Sequence, residues 1–284
     1  MQRLGKWFKP ITNRIIYNWS LGQKKNVTAQ LFSGIRYFDI RLVVQNDDIK
    51  ISHGLYGANI STFLQDINEF LNNHPQEVVV LDFQHFYKFQ FQNHEEMERM
   101  LQMIFEPKIC YRRRSMREIS LEGLWRERKQ IIIIYRHAFV NHTHSNIFWP
   151  SYAWITPWPN KLKVDELLQY LDNGIANRTD EVGYVTQGIL TPDVKYVIFH
   201  ICGSLQNLAL KTNRKLVSWL ETKGNGRHGV NVVICDFIED CQFCEKVVEL
   251  NYRNYEANVK RRAWDSSEQV NACGDVNVVV ESQQ

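Results

Sequence analysis

The sequence predicts an α/β fold, a β/α barrel of the TIM type, on three observations. Short β-branched apolar runs alternate with stretches of helical period along most of the chain, which implies a mostly parallel sheet. The runs that begin near positions 78, 131 and 230 show little polar alternation, as strands covered on both faces should. Ionisable residues recur near the ends of the runs: Asp39 and Arg41, His53, Asp82 with His85, Arg136 with His137, and Asp236. The C-terminal rim of a β/α barrel gathers side chains from separate strands into one site, so this pattern favours an enzyme-like barrel over a binding sandwich.

Taken in order, the N-terminus is helix-like, and its Lys6, Trp7, Phe8 and Lys9 suit either an interfacial anchor or buried packing. Strands follow at Ile35 to Val44 and Ile49 to Ser52. From Ile60 to Asn73, Phe63, Leu64, Ile67, Phe70 and Leu71 recur at helical spacing. Further strands are expected at Val78 to Phe83, Ile131 to Tyr135, Tyr196 to Phe199 and Val230 to Phe237. Helices are expected at Glu95 to Phe105, Val164 to Leu171, Leu205 to Leu220 and Cys241 to Leu250. After about Tyr255 the chain turns polar and rich in Asn and Ser, with one apolar stretch, Val276 to Val280, that has no evident partner. The expected organisation is one domain over residues 1–257 and a polar tail over 258–284.

Composition narrows the function. A chain of 284 residues with 44% hydrophobic content can bury an ordinary core. The 34 Lys and Arg against 31 Asp and Glu leave a net charge of +3, too little to argue for nucleic acid but compatible with a weakly anionic partner such as a lipid headgroup. The longest apolar run, Ile131 to Tyr135, is far short of the roughly 20 residues that span a bilayer, so membrane contact is expected to be peripheral. The six cysteines are scattered and read as reduced thiols. Cys241 and Cys244 form a CxxC with no second ligand pair at zinc-finger spacing, so ordinary buried cysteines are the better reading. The basic triplet Arg112 to Arg114 reads as a solvated surface.

In Gly34-Ile-Arg-Tyr-Phe-Asp-Ile-Arg41, strand alternation places Tyr37, Asp39 and Arg41 on one face. An inward arginine needs an anion, and Asp39 could be that anion in a purely structural pair. His53 follows Arg41 by twelve residues and is itself followed by Gly54, a turn that leaves an imidazole at a strand mouth. Arginine to hold a phosphate and histidine to move a proton make a minimal phosphoryl-transfer kit.

At these residues the chain resembles the catalytic X domain of phosphatidylinositol-specific phospholipase C, in its metal-free X-domain-containing branch. The segment Gly34 to Arg41, then His53-Gly-Leu-Tyr-Gly57, then His74-Pro-Gln-Glu-Val-Val-Val-Leu-Asp-Phe83 are similar to successive family signatures. So are Ile134-Tyr-Arg136, Thr186-Gln-Gly-Ile-Leu-Thr-Pro192 and Val233-Ile-Cys-Asp-Phe-Ile238, a match over roughly residues 20 to 252. The resemblance implies attack of the inositol 2-hydroxyl on the adjacent phosphodiester, with expulsion of diacylglycerol. It implies His53 as the general acid, Arg41 as the phosphate-binding arginine and Asp39 as the residue that positions Arg41. It further implies inositol contacts from Arg136, His85 and Gln187, the last two differing in type from bacterial relatives. Calcium-using relatives place a carboxylate where Arg41 stands, so no metal, calcium or other cofactor is expected. A cytoplasmic protein that visits the membrane face is the expected placement.

The family's first strand carries a Gly-Ser/Thr-His-Asp motif whose histidine is the general base. Nothing before Gly34 resembles it, and residues 1–30 contain neither His nor Asp. The resemblance therefore implies a barrel incomplete at its N-terminus, two unpaired strand edges, and an Asp236 whose imidazole partner is absent. Two alternatives stand beside the enzyme: a non-catalytic module that grips a phosphoinositide headgroup through Arg41, Arg136 and His53, and a metal-dependent glycerophosphodiesterase. The latter would need metal ligands where Arg41 stands.

Overall fold

The computed structural model describes residues 4–179, 181–226, 229–252 and 278–279. Helix α1 (Leu4–Ser20) leads into α2 (Val27–Phe32), whose N-cap Asn26 accepts the amide of Ala29 at 2.9 Å. Of the candidate anchor residues Lys6, Trp7, Phe8 and Lys9, the structure describes the helical backbone, while their side chains lie outside the described residues.

The strands form two sheets. The first has the order β3 (Leu55–Asn59), β2 (Asp48–His53), β1 (Tyr37–Gln45), β4 (Val79–Tyr87), β5 (Ile131–Tyr135) and β6 (Phe148–Trp149). The second has the order β10 (Val278–Val279), β9 (Val232–Ile234), β8 (Gly183–Gln187) and β7 (Trp154–Ile155). From β1 through β4 and β5 to β6, and across the whole second sheet, every pairing is parallel. All of β5 is buried, as its unbroken Ile-Ile-Ile-Ile-Tyr implies for a strand covered on both faces. The sheets face one another across a shared interior, where the Tyr37 ring of β1 lies 6.1 Å from the Trp154 ring of β7.

Helices cover the outside. Helix α3 (Ile60–Asn73) buries Ile60, Phe63, Leu64, Ile67, Phe70 and Leu71, the stripe expected from the i, i+3, i+4 spacing, and Phe63 meets Phe38 of β1 edge to face at 5.6 Å. Its first turn is closed by Asn59, whose side chain accepts the Ser61 amide. Then come α4 (Phe91–Phe105), α5 (Leu121–Glu127), α6 (Val164–Asn177), α7 (Val194–Phe199), α8 (Leu205–Glu221) and a last helix over residues 243–252.

Of the elements that the sequence reading did not give, three bear on the second sheet. Tyr196 to Phe199, read as a strand, is the end of helix α7. Asp193 caps it by accepting the Tyr196 amide at 2.7 Å, which starts a helical turn that the β-rich composition would not. The strand in its place is Gly183–Gln187, short and opened by glycine, hence weak in local signal. Gly183 is required by packing: a Cβ there would lie 2.2 Å from Trp154 Cδ2. The apolar stretch read as partnerless contributes β10, which pairs in parallel with β9, so the edge of β9 expected to be bare carries a neighbour. Gln23 ties the N-terminal segment to the chain just after β9, donating to the Cys235 carbonyl at 3.0 Å and accepting the Ile238 amide at 3.0 Å. Among the described cysteines, none is disulfide-bonded; Cys110, Cys235 and Cys244 are buried and Cys241 is half-buried.

Candidate active site

The site is built on β1. Tyr37 and Asp39 face the interior, and a register shift between Ile40 and Arg41 sets Arg41 opposite His85 of β4. After β1 the chain reverses through Asn46 and Asp47, both at positive φ, and β2 returns antiparallel with Leu42 opposite Ile51. The twelve-residue separation of Arg41 and His53 thus reflects a hairpin rather than two neighbouring parallel strands, and it brings the histidine back toward the level of the arginine.

Gly54, with φ +67°, turns the chain immediately after His53, and a Cβ there would lie 2.6 Å from the Ser20 hydroxyl. This close approach lets His53 Nδ1 meet the Ser20 carbonyl oxygen at 2.8 Å. A carbonyl only accepts, so Nδ1 carries a proton and Nε2 is left for chemistry. Burial, together with the positive charge of Arg41, lowers the His53 pKa, while the bond to Ser20 acts in the opposite direction.

Arg41 is the hub of the mouth. Its Nε stands 3.9 Å from Asp39 Oδ1, too long for a hydrogen bond, and that Nε is buried without a hydrogen-bond partner among the described residues. Asp39 Oδ1 and Asp236 Oδ1 are likewise buried and unpartnered. Burial raises the Asp39 carboxyl to about 7 against the pull of Arg41. Burial raises Asp236 to about 7 as well, with Arg41 lowering it and Asp39 raising it further. The exposed imidazole of His85 is pushed down by partial burial and by the charges of Arg41 and Arg136.

Arg136, expected from the sequence to face a ligand, is engaged with the protein. Its Nε and Nη2 donate to the two oxygens of Asp82 at 2.8 and 2.7 Å, and Nη2 also donates to the Trp154 carbonyl at 2.7 Å. Asp82, fully buried, also accepts the Tyr37 hydroxyl and the Gln84 amide. Burial and the neighbouring Asp82 hold the Tyr37 hydroxyl well above its ordinary pKa, so it remains a donor. Gln187, at the end of β8, donates to the Thr156 carbonyl at 3.1 Å. Sequence reasoning did not assign Tyr37 or Ser20 to the site. Tyr37 was legible as sharing the Asp39 face, whereas Ser20 carries no local signal, because its contribution is a backbone carbonyl.

The structure therefore brings His53, Arg41, Asp39 and Asp236 into one electrostatic group, with His85 on its exposed side and the Arg136–Asp82 pair beneath. Two buried carboxyls near neutrality and a guanidinium with a free donor form a group able to bind an anion and to move protons close to pH 7.

Residues 15–137 match the family model described as phosphatidylinositol-specific phospholipase C, X domain. The chain is 31% identical over 251 residues to PI-PLC X domain-containing protein 3 of Homo sapiens, covering 86% of this chain and 77% of that protein. It is 32% identical over 247 residues to PI-PLC X domain-containing protein 2 of Mus musculus, covering 85% and 72%. Among solved structures, the phosphatidylinositol-specific phospholipase C of Listeria monocytogenes superposes with a TM-score of 0.63 at 15% identity, over 83% of this chain and 87% of that one. A mutant of the Staphylococcus aureus enzyme does so at 0.60 and 18%, over 82% and 85%. The fold is thus the TIM-type barrel of those enzymes, and the chain belongs to the family of PI-PLC X domain-containing proteins.

Proposed function

We propose that this protein is a phosphoric diester hydrolase acting on phosphatidylinositol-type lipids, with its X domain over residues 1–257 and β10 added to the sheet from the segment that follows. The observation that carries the reading is the unused donor of Arg41, buried beside two carboxyls and within electrostatic reach of His53. A phosphate oxygen seated on Arg41 satisfies that donor and brings a negative charge next to the imidazole. The charge raises the pKa of His53 toward neutrality, reversing the effect of Arg41, so that the substrate itself protonates its general acid.

In the reaction the inositol 2-hydroxyl oxygen bonds to phosphorus, the bond from phosphorus to the glyceryl oxygen breaks, and His53 Nε2 gives its proton to that oxygen. Arg41 neutralises the charge that builds on the phosphoryl oxygens, and Asp39 sets the position of its guanidinium. Asp236, close to neutral pKa, takes up the proton released by the 2-hydroxyl, directly or through an intervening water. His85 and Gln187 contact the inositol ring, and Arg136 reaches it only by exchanging the bond that its Nη1 donates to the Ser151 carbonyl at 3.4 Å. The guanidinium of Arg41 supplies the positive charge at phosphorus, so turnover without calcium or any other cofactor is part of the proposal. So is a peripheral, cytoplasmic encounter with the membrane. Among the described residues no helix is long and apolar enough to cross one.

The test is turnover of phosphatidylinositol vesicles with chelator present, for the natural chain and for His53→Ala, with folding checked by circular dichroism. Removing a general acid is expected to lower the rate by about 10²- to 10⁴-fold with little change in vesicle binding. Vesicle binding without turnover by the natural chain would show a headgroup-binding module instead, and turnover that survives His53→Ala would remove His53 from the mechanism.

A further inference from the structure

The loop that carries Asp236 is held from two sides. After β9 the backbone passes through Phe237 at φ +52°, a left-handed conformation that a bulky side chain rarely takes, so the surrounding contacts have to hold it there. From α8, Asn213 Nδ2 donates to the carbonyls of Asp236 at 2.8 Å and of Phe237 at 3.3 Å. From the N-terminal side, the Gly22 carbonyl accepts the Phe237 amide at 2.8 Å, and Gln23 bonds both the Cys235 carbonyl and the Ile238 amide. Gln23 is 4% exposed, and the buried Phe237 ring packs with Trp19, Leu21, Leu205 and Ala209.

The same short stretch reaches His53. Two residues before Gly22, the Ser20 carbonyl fixes the proton on His53 Nδ1, and Gly54 lies so close to the Ser20 side chain that it leaves no room for a Cβ. Four consecutive residues are thus anchored at one end on the imidazole and at the other on the backbone beside Asp236. Covalent geometry limits the span of such a stretch, so a shift at one anchor is passed to the other.

We infer that Ser20 to Gln23 form a strap that fixes the general acid His53 and the proton acceptor Asp236 relative to one another, with Gln23 as its positioning residue. The chemical roles at the two ends rest on the phospholipase reading of the site, whereas the coupling rests on the bonds alone. Among the described residues no hydrogen bond joins Gln23 to His53, so an effect of Gln23 on the tautomer of that ring reports the strap.

The experiment compares the natural chain with Gln23→Met, which keeps the length of the side chain and removes both bonds, and with Gln130→Met as a control. Gln130 is also buried, and its Nε2 donates to the carbonyls of Leu71, His74 and Glu77. It precedes β5, at the strand end opposite the mouth, so it suffers the same chemical loss away from the site. Nitrogen-15 NMR of the imidazoles should show His53 as the Nδ1–H tautomer in the natural chain and in Gln130→Met, and a shift toward the Nε2–H form in Gln23→Met. Carbon-13 titration should show the Asp236 pKa, set by burial, Arg41 and Asp39, falling by at least about 0.5 in Gln23→Met as water reaches the carboxyl. On phosphatidylinositol vesicles kcat should fall about tenfold in Gln23→Met with KM unchanged, and less than about twofold in Gln130→Met. An unchanged His53 tautomer in Gln23→Met, or an equal change in Gln130→Met, would overturn the proposal, since Gln23 would then be an ordinary core residue. If Gln23→Met does not fold, Gln23→Asn, which keeps the amide but is too short to make both bonds, carries the same comparison. A natural chain without turnover removes the phospholipase reading and leaves the tautomer and the titration to decide the strap.

Discussion

Replacing Asp236 by asparagine should make the protein more stable above neutral pH and less stable in acid. The carboxyl is 4% exposed and moved by its surroundings from an ordinary value of 3.8 to about 7. A raised folded-state pKa means that the folded protein prefers the protonated form. The contribution of Asp236 to stability is therefore complete below about pH 4, declines as pH rises, and is lost above about pH 7. At about 1.4 kcal/mol per pH unit, the ionised group opposes folding by about 4 kcal/mol at high pH. Asparagine has nearly the same shape and never ionises, but its amide N–H groups need acceptors, at a cost of about 1–2 kcal/mol. The net gain is then about 2–3 kcal/mol near pH 8, a rise in Tm of roughly 5–10 °C for a domain of this size, turning to a loss of about 1–2 kcal/mol near pH 4. Urea unfolding of both proteins across that pH range measures the difference directly. A difference that does not vary with pH, or a variant less stable near pH 8, would refute the account of Asp236 as a carboxyl held near neutrality by burial. Because Asp236 is also assigned the 2-hydroxyl proton, the stabilised variant should lose turnover, the exchange of stability for function expected at a site that stores unfavourable charge.

Two further outcomes follow from the interior. Asp82→Asn removes the partner of the Arg136 fork and leaves a guanidinium 14% exposed without its counter-charge, so urea unfolding should show a loss of about 3–5 kcal/mol. A loss below about 1 kcal/mol would mean that Arg136 finds another anion or reaches water. Gly183→Ala drives a methyl group against the Trp154 indole, which closes the seam between β7 and β8. Thermal unfolding should reveal a cost of about 1–3 kcal/mol, and a neutral result would show that the indole has room to move.

Much of this protein can be read one residue at a time. Ile131–Tyr135 is a strand buried on both faces because five consecutive large apolar residues have no polar side to give to water. The stripe of α3 and the sharing of one face by Tyr37, Asp39 and Arg41 follow from the helical and strand periods alone. The resemblance to the family lies in the same local strings, because His53-Gly54 and the Gly34 to Arg41 segment are contiguous. What needed the folded chain is everything set by partners distant in sequence. Tyr196 to Phe199 has the composition of a strand, yet Asp193 caps it into a helix and the neighbouring sheet position is taken by Gly183–Gln187. Arg136 reads as a free cation until Asp82, 54 residues away, is seen to grip it twice. His53 acquires its tautomer from a carbonyl 33 residues upstream, and a backbone oxygen leaves no trace in the identity of its residue. Periodicity records how a segment divides itself between water and core, whereas pairing, protonation and the exposure of α7 depend on which segments meet, a property of the tertiary structure alone.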